Sequence, residues 1–464
     1  MLMFSNSTWA GTNSTIINPS LPVLSPLYLD INLVSANVSV ENNYIYIPAS
    51  ENKFRRFFNN SYLNGNEGAS TFEKFYFDYY TPETKSGFIN VRVTGPSASL
   101  ILGRNAFGFH TAVRSITSVQ DIPGPLAKFL YEGMYWPEQH NIRYLHENKM
   151  SIANLSWAEI GFNYSHIFRI RNKDIWSGGF TLRKLSGYGG AVIFSDHIDY
   201  MMQGSDTLVI YDIDAEGGYS LPLDYNSNLF DKDEYSRGDG FGMDIGITFE
   251  KKKSPPGWVN RFSKPCTQHF TPYKYRIGLS LLDIGRITFK ENARSFRVDD
   301  GSLFWPGLRG INNTTVSAME DSISTHFFGN HDDLVTGDRF SMDLPAVLSS
   351  QIDYNLNGNW YATSVVIVPI SDKRTSLRPP EIIGGLRVET RDVTFGINAS
   401  VLDWSAFRLG FFGRYEWFFV GTDNILSFLQ VKDYTGTDIF AGLKISLNKG
   451  RCTFNNTACP GLLW

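Results

Sequence analysis

The sequence predicts an all-β fold: a closed antiparallel β-barrel of the transmembrane kind, with about 12 to 16 strands, long loops and one short helix. Three observations carry this. Apolar and polar residues alternate with period two through much of the 464 residues. Aromatics make up 15% of the chain and charges 19%, the latter below the ~25% of ordinary soluble domains. No stretch approaches the ~20 apolar residues of a membrane helix, and the run Thr363–Ile370 is far too short. With 42 Lys+Arg against 46 Asp+Glu and a net charge of −4, the chain lacks the basic excess of a dedicated nucleic-acid binder.

In chain order, Met1–Trp9 shows no basic start, apolar stretch or cleavage site. Either the protein is cytosolic or a signal peptide has already been removed, and the barrel reading expects the second, with an outer-membrane location. Weak strands follow at 28–40, 87–94, 97–104 and 107–116. Pro123–Tyr135 then reads as a helix with Leu126, Phe129, Leu130 and Met134 on one face. The clearest alternation is at 156–166, 176–183, 240–250, 273–281, 392–402, 407–419 and 438–447. At 240–250, Phe241, Met243, Ile245, Ile247 and Phe249 oppose Gly242, Asp244, Gly246, Thr248 and Glu250. Further strands are expected at 190–194, 207–213, 351–356, 360–368 and 382–389, sixteen candidates in all. Irregular structure is expected at 41–86, 214–239, 252–272 and 291–348.

A soluble sandwich turns the apolar face of such strands inward, whereas a membrane barrel turns it to lipid. The polar faces here carry Gly, Asn, Thr, Ser and paired charges, and the apolar runs match the ~9–11 residues of a tilted spanning strand. Trp157, Trp176, Trp360, Trp404, Trp417 and Tyr273 fall near strand ends, as interfacial girdles require. Ring closure also removes exposed strand edges. Three regions are expected: an N-terminal luminal or periplasmic segment 1–25, a barrel 26–447 and a tail 448–464.

Several stretches carry a family resemblance: Ser7–Ser20 with Asn18-Pro19, Tyr28–Val34, Ile122–Glu132, Leu155–Phe162 and Thr437–Lys444. Together they resemble an uncharacterised family of Bacteroidetes outer-membrane barrels. More remotely, the chain is similar to fatty-acid-transporter-like barrels and to the partner barrels of gliding and type IX secretion. The resemblance implies about 14 strands, with the N-terminal segment and the short helix in or under the lumen. It implies no agreed function. The chain departs from the pattern at its end: such barrels usually close on an aromatic residue of the last strand, whereas here 17 residues follow Leu447.

Candidate chemistry is sparse. The eight histidines show no metalloprotease spacing, and Ser195-Asp196-His197 cannot form a relay while neighbours on a strand point to opposite faces. The stretch Asp212–Gly217 starts like a calcium loop, making Asp212, Asp214 and Glu216 candidate ligands, but Leu223 stands where the bidentate Glu belongs. No other cofactor is expected. Cys452 and Cys459 are spaced to close a disulfide loop in an oxidising compartment and Cys266 is left over; the alternative is three unconnected thiols. The candidate lumen lining is Glu159, Arg183, Asp244, Arg276, Arg387, Glu389, Arg408, Arg414, Glu416 and Lys444. It forms either a selectivity lining or ion pairs that fill a closed interior.

The function expected from these features is non-enzymatic: an accessory or partner-binding subunit of a larger outer-membrane assembly. The alternative is a transport barrel for small or hydrophobic solutes. Aromatic loops suit protein recognition, with Phe54, Phe57, Phe58, Phe75, Tyr76, Tyr79 and Tyr80 as anchors. The expected surroundings are outer-membrane lipid and lipopolysaccharide, with other outer-membrane proteins or lipoproteins as partners.

Overall fold

Fourteen antiparallel strands form a closed ring in a computed structural model that describes residues 1–48, 77–231, 235–254, 272–308, 315–331, 333–372, 374–429 and 433–448. β1 is Leu27–Asn42, and β2 is Lys85–Thr94 continued by Ser97–Leu102. The break in β2 falls at Gly95-Pro96, where proline has no N–H for the ladder. β3 is Asn105–Ile122, β4 Met150–Arg171 and β5 Asp174–Gln203. β6 is Thr207–Ser220 and Gly238–Lys252, both antiparallel to β5 and so collinear, with an excursion between them. β7 is Tyr273–Phe289 and Ala293–Val298, and β8 is Phe340–Asp343 and Val347–Asn357. β9 to β12 are Trp360–Pro369, Glu381–Glu389, Val393–Leu402 and Ala406–Tyr415. β13 is the short Phe418–Thr422 and β14 is Gly436–Asn448. The ring closes where β14 pairs with β1, from Leu27 opposite Asn448 to Glu41 opposite Gly436.

One end of the ring carries tight turns. Two residues join β2 to β3, β4 to β5, β8 to β9 and β12 to β13, and positive φ at Gly103, Asn172, Gly358 and Glu416 fits the mirror-image turns that match strand twist. Most of the long connections lie at the opposite end, and the 20 residues between Lys252 and Tyr273 are the exception, joining β6 to β7 at the turn end. At the loop end the helix Gly124–Glu132 and a second helix, Val316–Phe328, pack against the outer parts of the strands, around Tyr200, Ile210 and Trp305. Thr315 caps the second helix by accepting the Ala318 N–H at 3.3 Å, and Gly329 ends it in the left-handed region.

The faces are inverted relative to a soluble barrel. Along β11, Val393, Phe395 and Ile397 are exposed while Thr394, Asn398 and Ser400 are buried. The same inversion holds along β4, where Ile160 and Phe162 face out and Glu159 and Asn163 face in. An apolar outside and a polar inside are the arrangement a bilayer requires.

Three expectations are corrected. Residues 291–348 are largely ordered: Ala293–Val298 and Leu303–Trp305 pair with the outer half of β6, and Val316–Phe328 is helical. Their partners lie 73 to 97 residues away, from Ser220 opposite Ala293 to Leu208 opposite Trp305, out of reach of local patterning. Trp157 is not in a girdle but fully buried in the lumen, beneath the Arg114 guanidinium at 4.6 Å. Tyr273 also faces inward, because a register shift at Lys251/Lys252 reverses its side of the strand. Trp360, Trp404 and Trp417 are exposed.

Candidate functional site

The first 26 residues thread the lumen. The helix Leu2–Ser5 and the 3₁₀ turns Gly11–Ile16 and Pro22–Leu24 form a buried plug. Ser and Thr make tight turns feasible by bonding their own backbone: Ser14 Oγ donates to Gly11 O at 2.7 Å and Thr15 Oγ1 to Thr12 O at 2.9 Å. Phe4 anchors one end, stacked on Phe419 at 4.2 Å between centroids and edge-on to Phe412 at 5.9 Å.

Barrel side chains hold the plug by its backbone. Lys444 Nζ donates to Trp9 O and to Ala10 O, at 2.5 and 3.2 Å, and Arg276 donates to Asn6 O. Ser280 and Gln351 both donate to Ile17 O, at 2.6 and 3.1 Å, and Asn163 donates to Pro19 O at 3.2 Å. Carboxylates take the amides: Thr8 N–H reaches Glu389 at 3.1 Å and Thr12 N–H reaches Asp30 at 2.8 Å. Asn18 sits at the centre, donating to Gln351 at 3.0 Å and accepting the Ser20 N–H at 2.9 Å. A buried irregular segment survives only if its backbone groups are paired, and the lumen wall supplies the pairs.

The lumen charges form compensated clusters. Asp353 accepts from Arg276 at 2.8 Å, from Arg387 at 2.6 and 2.7 Å and from the Tyr273 hydroxyl at 2.8 Å; Arg387 also pairs with Glu389 at 2.5 Å. Nearer the mouth, Asp283 accepts from Arg114 at 2.7 and 2.9 Å and from Arg183 at 2.8 Å. Arg183 also pairs with Asp244, and Glu159 lies within 3.5 to 3.7 Å of Arg92, His110, Arg114 and Arg183. Arg408 pairs with Glu381, and Lys444 with Asp30 at 3.2 Å.

Of the candidate lining, Glu159, Arg183, Asp244, Arg276, Arg387, Glu389, Arg408, Arg414 and Lys444 are buried on the inner face. Glu416 is a correction: it is exposed in the β12–β13 turn at φ 45°, because the two-residue turn takes it out of the strand. Asp212, Asp214 and Glu216 are corrected too. They lie on strand β6, not in a loop, and share one pleat face with basic partners. His197 is 3.0 Å from Asp212 and 3.5 Å from Asp214, while Arg374 is 3.0 Å from Glu216. Among the described residues no group of three or more such side chains could hold a metal ion. Ser195 Oγ donates to His197 O, and Asp196 pairs with Lys149 at 3.3 Å. Cys266, Cys452, Cys459, Phe54, Phe57, Phe58, Phe75 and Tyr76 lie outside the described residues.

Sequence reasoning missed Asp30, Arg114, Asp283, Asp353 and Arg378. Asp353 was readable as the polar member of Ile352-Asp353-Tyr354. Asp283 was hidden by a bulge: it sits at φ 57° after the doubled Leu281-Leu282, which breaks the alternation and swings the carboxylate inward.

At the loop end a cavity of about 490 Å³ opens between the ends of β1–β3 and the β9–β10 and β11–β12 connections. Phe88, Val119, Leu377, Leu402, Trp404 and three prolines supply apolar wall, and Glu41, Asp121, Arg378 and Asp403 supply charge. The β9–β10 connection is tied across the mouth by the Leu377 N–H to Ser118 Oγ at 3.0 Å, and by Pro380 O accepting the Asp403 N–H at 2.8 Å.

Among solved structures the chain is similar to the toluene transporter TodX of Pseudomonas putida, at 11% identity, covering 96% of this chain and 95% of that one, with a TM-score of 0.39. It is similar to the toluene transporter TbuX of Ralstonia pickettii, at 10% identity, 95% and 94% coverage and a TM-score of 0.36. A FadL homologue of Pseudomonas aeruginosa matches at 9% identity, 94% and 93% coverage and a TM-score of 0.28. No curated protein sequence matches. Residues 19–423, from the plug to the end of β13, match the model described as "Family of unknown function (DUF5723)", and the chain belongs to that family.

Proposed function

We propose that this chain is a plugged transport barrel of a bacterial outer membrane, admitting small solutes at the loop-end mouth. One observation carries the reading: the lumen is closed by a separate N-terminal segment, held by discrete bonds to its backbone, beneath a cavity of about 490 Å³. Those bonds exchange readily for bonds to water, so the plug can shift without unravelling the wall. The tight turns that predominate at one end and the longer loops that predominate at the other support reading the mouth as the outer side. The reading is of a non-enzymatic role, supported by Asp353, Asp283 and Glu159 each being engaged by arginines of the wall.

Planar-bilayer recording on the purified full chain tests the proposal, together with Lys444→Met, which withdraws the bonds to Trp9 and Ala10. The expected result is rare openings for the parent and at least tenfold more for the variant. A variant that is folded and equally silent would overturn it. A second reading, partner binding, is favoured by the extension of β5 to Gln203, which carries the sheet far past the apolar belt with Tyr211 and Phe304 exposed on it. Stoichiometric co-purification from native membranes would support that role.

A further inference from the structure

We propose that the mouth cavity binds a short zwitterionic peptide with apolar side chains, its carboxylate on Arg378 and its ammonium on the side of Asp121 and Asp403. As the substrate class of the barrel, this rests on the transport reading; as a binding site it stands on the cavity. The volume, about 490 Å³, lies within the ~300–1,000 Å³ of small-molecule sites.

Charge selects the class. Three carboxylates, Glu41, Asp121 and Asp403, and one guanidinium, Arg378, line the cavity. A simple anion would meet the carboxylates, a simple cation would leave Arg378 without a counter-charge, and a molecule bearing both charges finds a partner for each. The two signs also sit apart. Arg378 lies on the lumen side, where Glu381, Asp283, Arg114 and Arg408 act on it, and Asp403 lies on the rim beside Asp121. Arg378 is incompletely neutralised: Glu381 stands 3.9 Å away and is shared with Arg408. Burial accordingly pulls the Arg378 guanidinium below its ordinary pKa, while burial and Asp121 push the Asp403 carboxyl above its own. A bound zwitterion relieves both.

Pro380 O accepts the Asp403 N–H at 2.8 Å, so the backbone bearing Arg378 and that bearing Asp403 are joined at one side of the cavity. Phe88, Leu377, Leu402 and Trp404 supply the apolar surface its side chains would cover.

The test is calorimetric titration of the detergent-solubilised full chain with Leu-Phe, its N-acetyl form and its C-terminal amide. Leu-Phe is expected to bind at least tenfold tighter than either blocked form. In Arg378→Gln the penalty for the amide disappears and that for acetylation remains; in Asp403→Asn the reverse holds. Equal affinity for all three forms, laurate binding as tightly as Leu-Phe, or no binding to the parent overturns the proposal. Uptake of labelled Leu-Phe into proteoliposomes separates the two readings. Charge-dependent binding without uptake leaves the site standing and sinks transport, and uptake of other solutes without such binding does the opposite.

Discussion

A single carboxylate, Asp353, gathers hydrogen bonds from Arg276, Arg387, Tyr273 and Thr363, all within the barrel. Removing one member of a buried ion network leaves the others uncompensated, at a cost of about 3–5 kcal/mol. Asp353→Leu is therefore expected to lower sharply the temperature at which the folded gel band converts to the unfolded one, and Asp353→Asn to lower it less. Conversion at the parent temperature in both would show that the network contributes nothing. The inward facing of Arg276 and Arg387 was legible because alternation assigns each strand residue a face. That both meet one carboxylate was not, since Arg387 lies 34 residues from Asp353 and Arg276 lies 77 away.

At the scale of elements, the shortness of β13 is a tertiary effect. After Thr422 the chain turns inward over Gly410, where a Cβ would stand 2.4 Å from Thr422 O and 2.6 Å from the Asp423 Cα. Backbone cannot yield as a flexible side chain does, so Gly410→Val is expected to cost about 1–3 kcal/mol in denaturant unfolding. Gly413→Ala, with nothing within 4 Å of its Cβ, is the near-neutral control. The helix Val316–Phe328 has a pH dependence of its own. Glu320 accepts the Tyr219 hydroxyl, and burial, aided by Asp321, pushes its carboxyl above the usual carboxylate range. The docked helix thus binds the proton more tightly than the undocked one. Its docking is strongest below the ordinary glutamate pKa and weakens as pH rises through the elevated value. Amide exchange across 316–328, corrected for intrinsic rate, should be slower at pH 4 than at pH 7, and Glu320→Gln should flatten the difference. A parent already flat would refute the linkage.

For the whole molecule, wall and plug are separable in stability. The wall is one continuous ladder, while the plug leans on Phe4 and on bonds from the wall. Phe4→Ala removes a buried aromatic worth about 3–5 kcal/mol. Exchange should accelerate over 2–17 and stay unchanged over 393–402, with β-rich far-UV dichroism intact. Equal acceleration in both segments would mean that plug and wall unfold together.

The sequence by itself determined the strands, their inverted faces and the absence of a long apolar helix in the described structure, because alternation is a local record of which side of a sheet each residue takes. It also marked most lumen charges, since a polar residue amid an apolar run has one inward place to go. Only the tertiary structure decided what those charges meet, where the N-terminal segment lies and which loops enclose the mouth. These are contacts across the ring, such as Thr8 with Glu389 at a separation of 381 residues. Their partners are set by closure, register shifts and the bulge at Asp283, which period-two patterning does not encode.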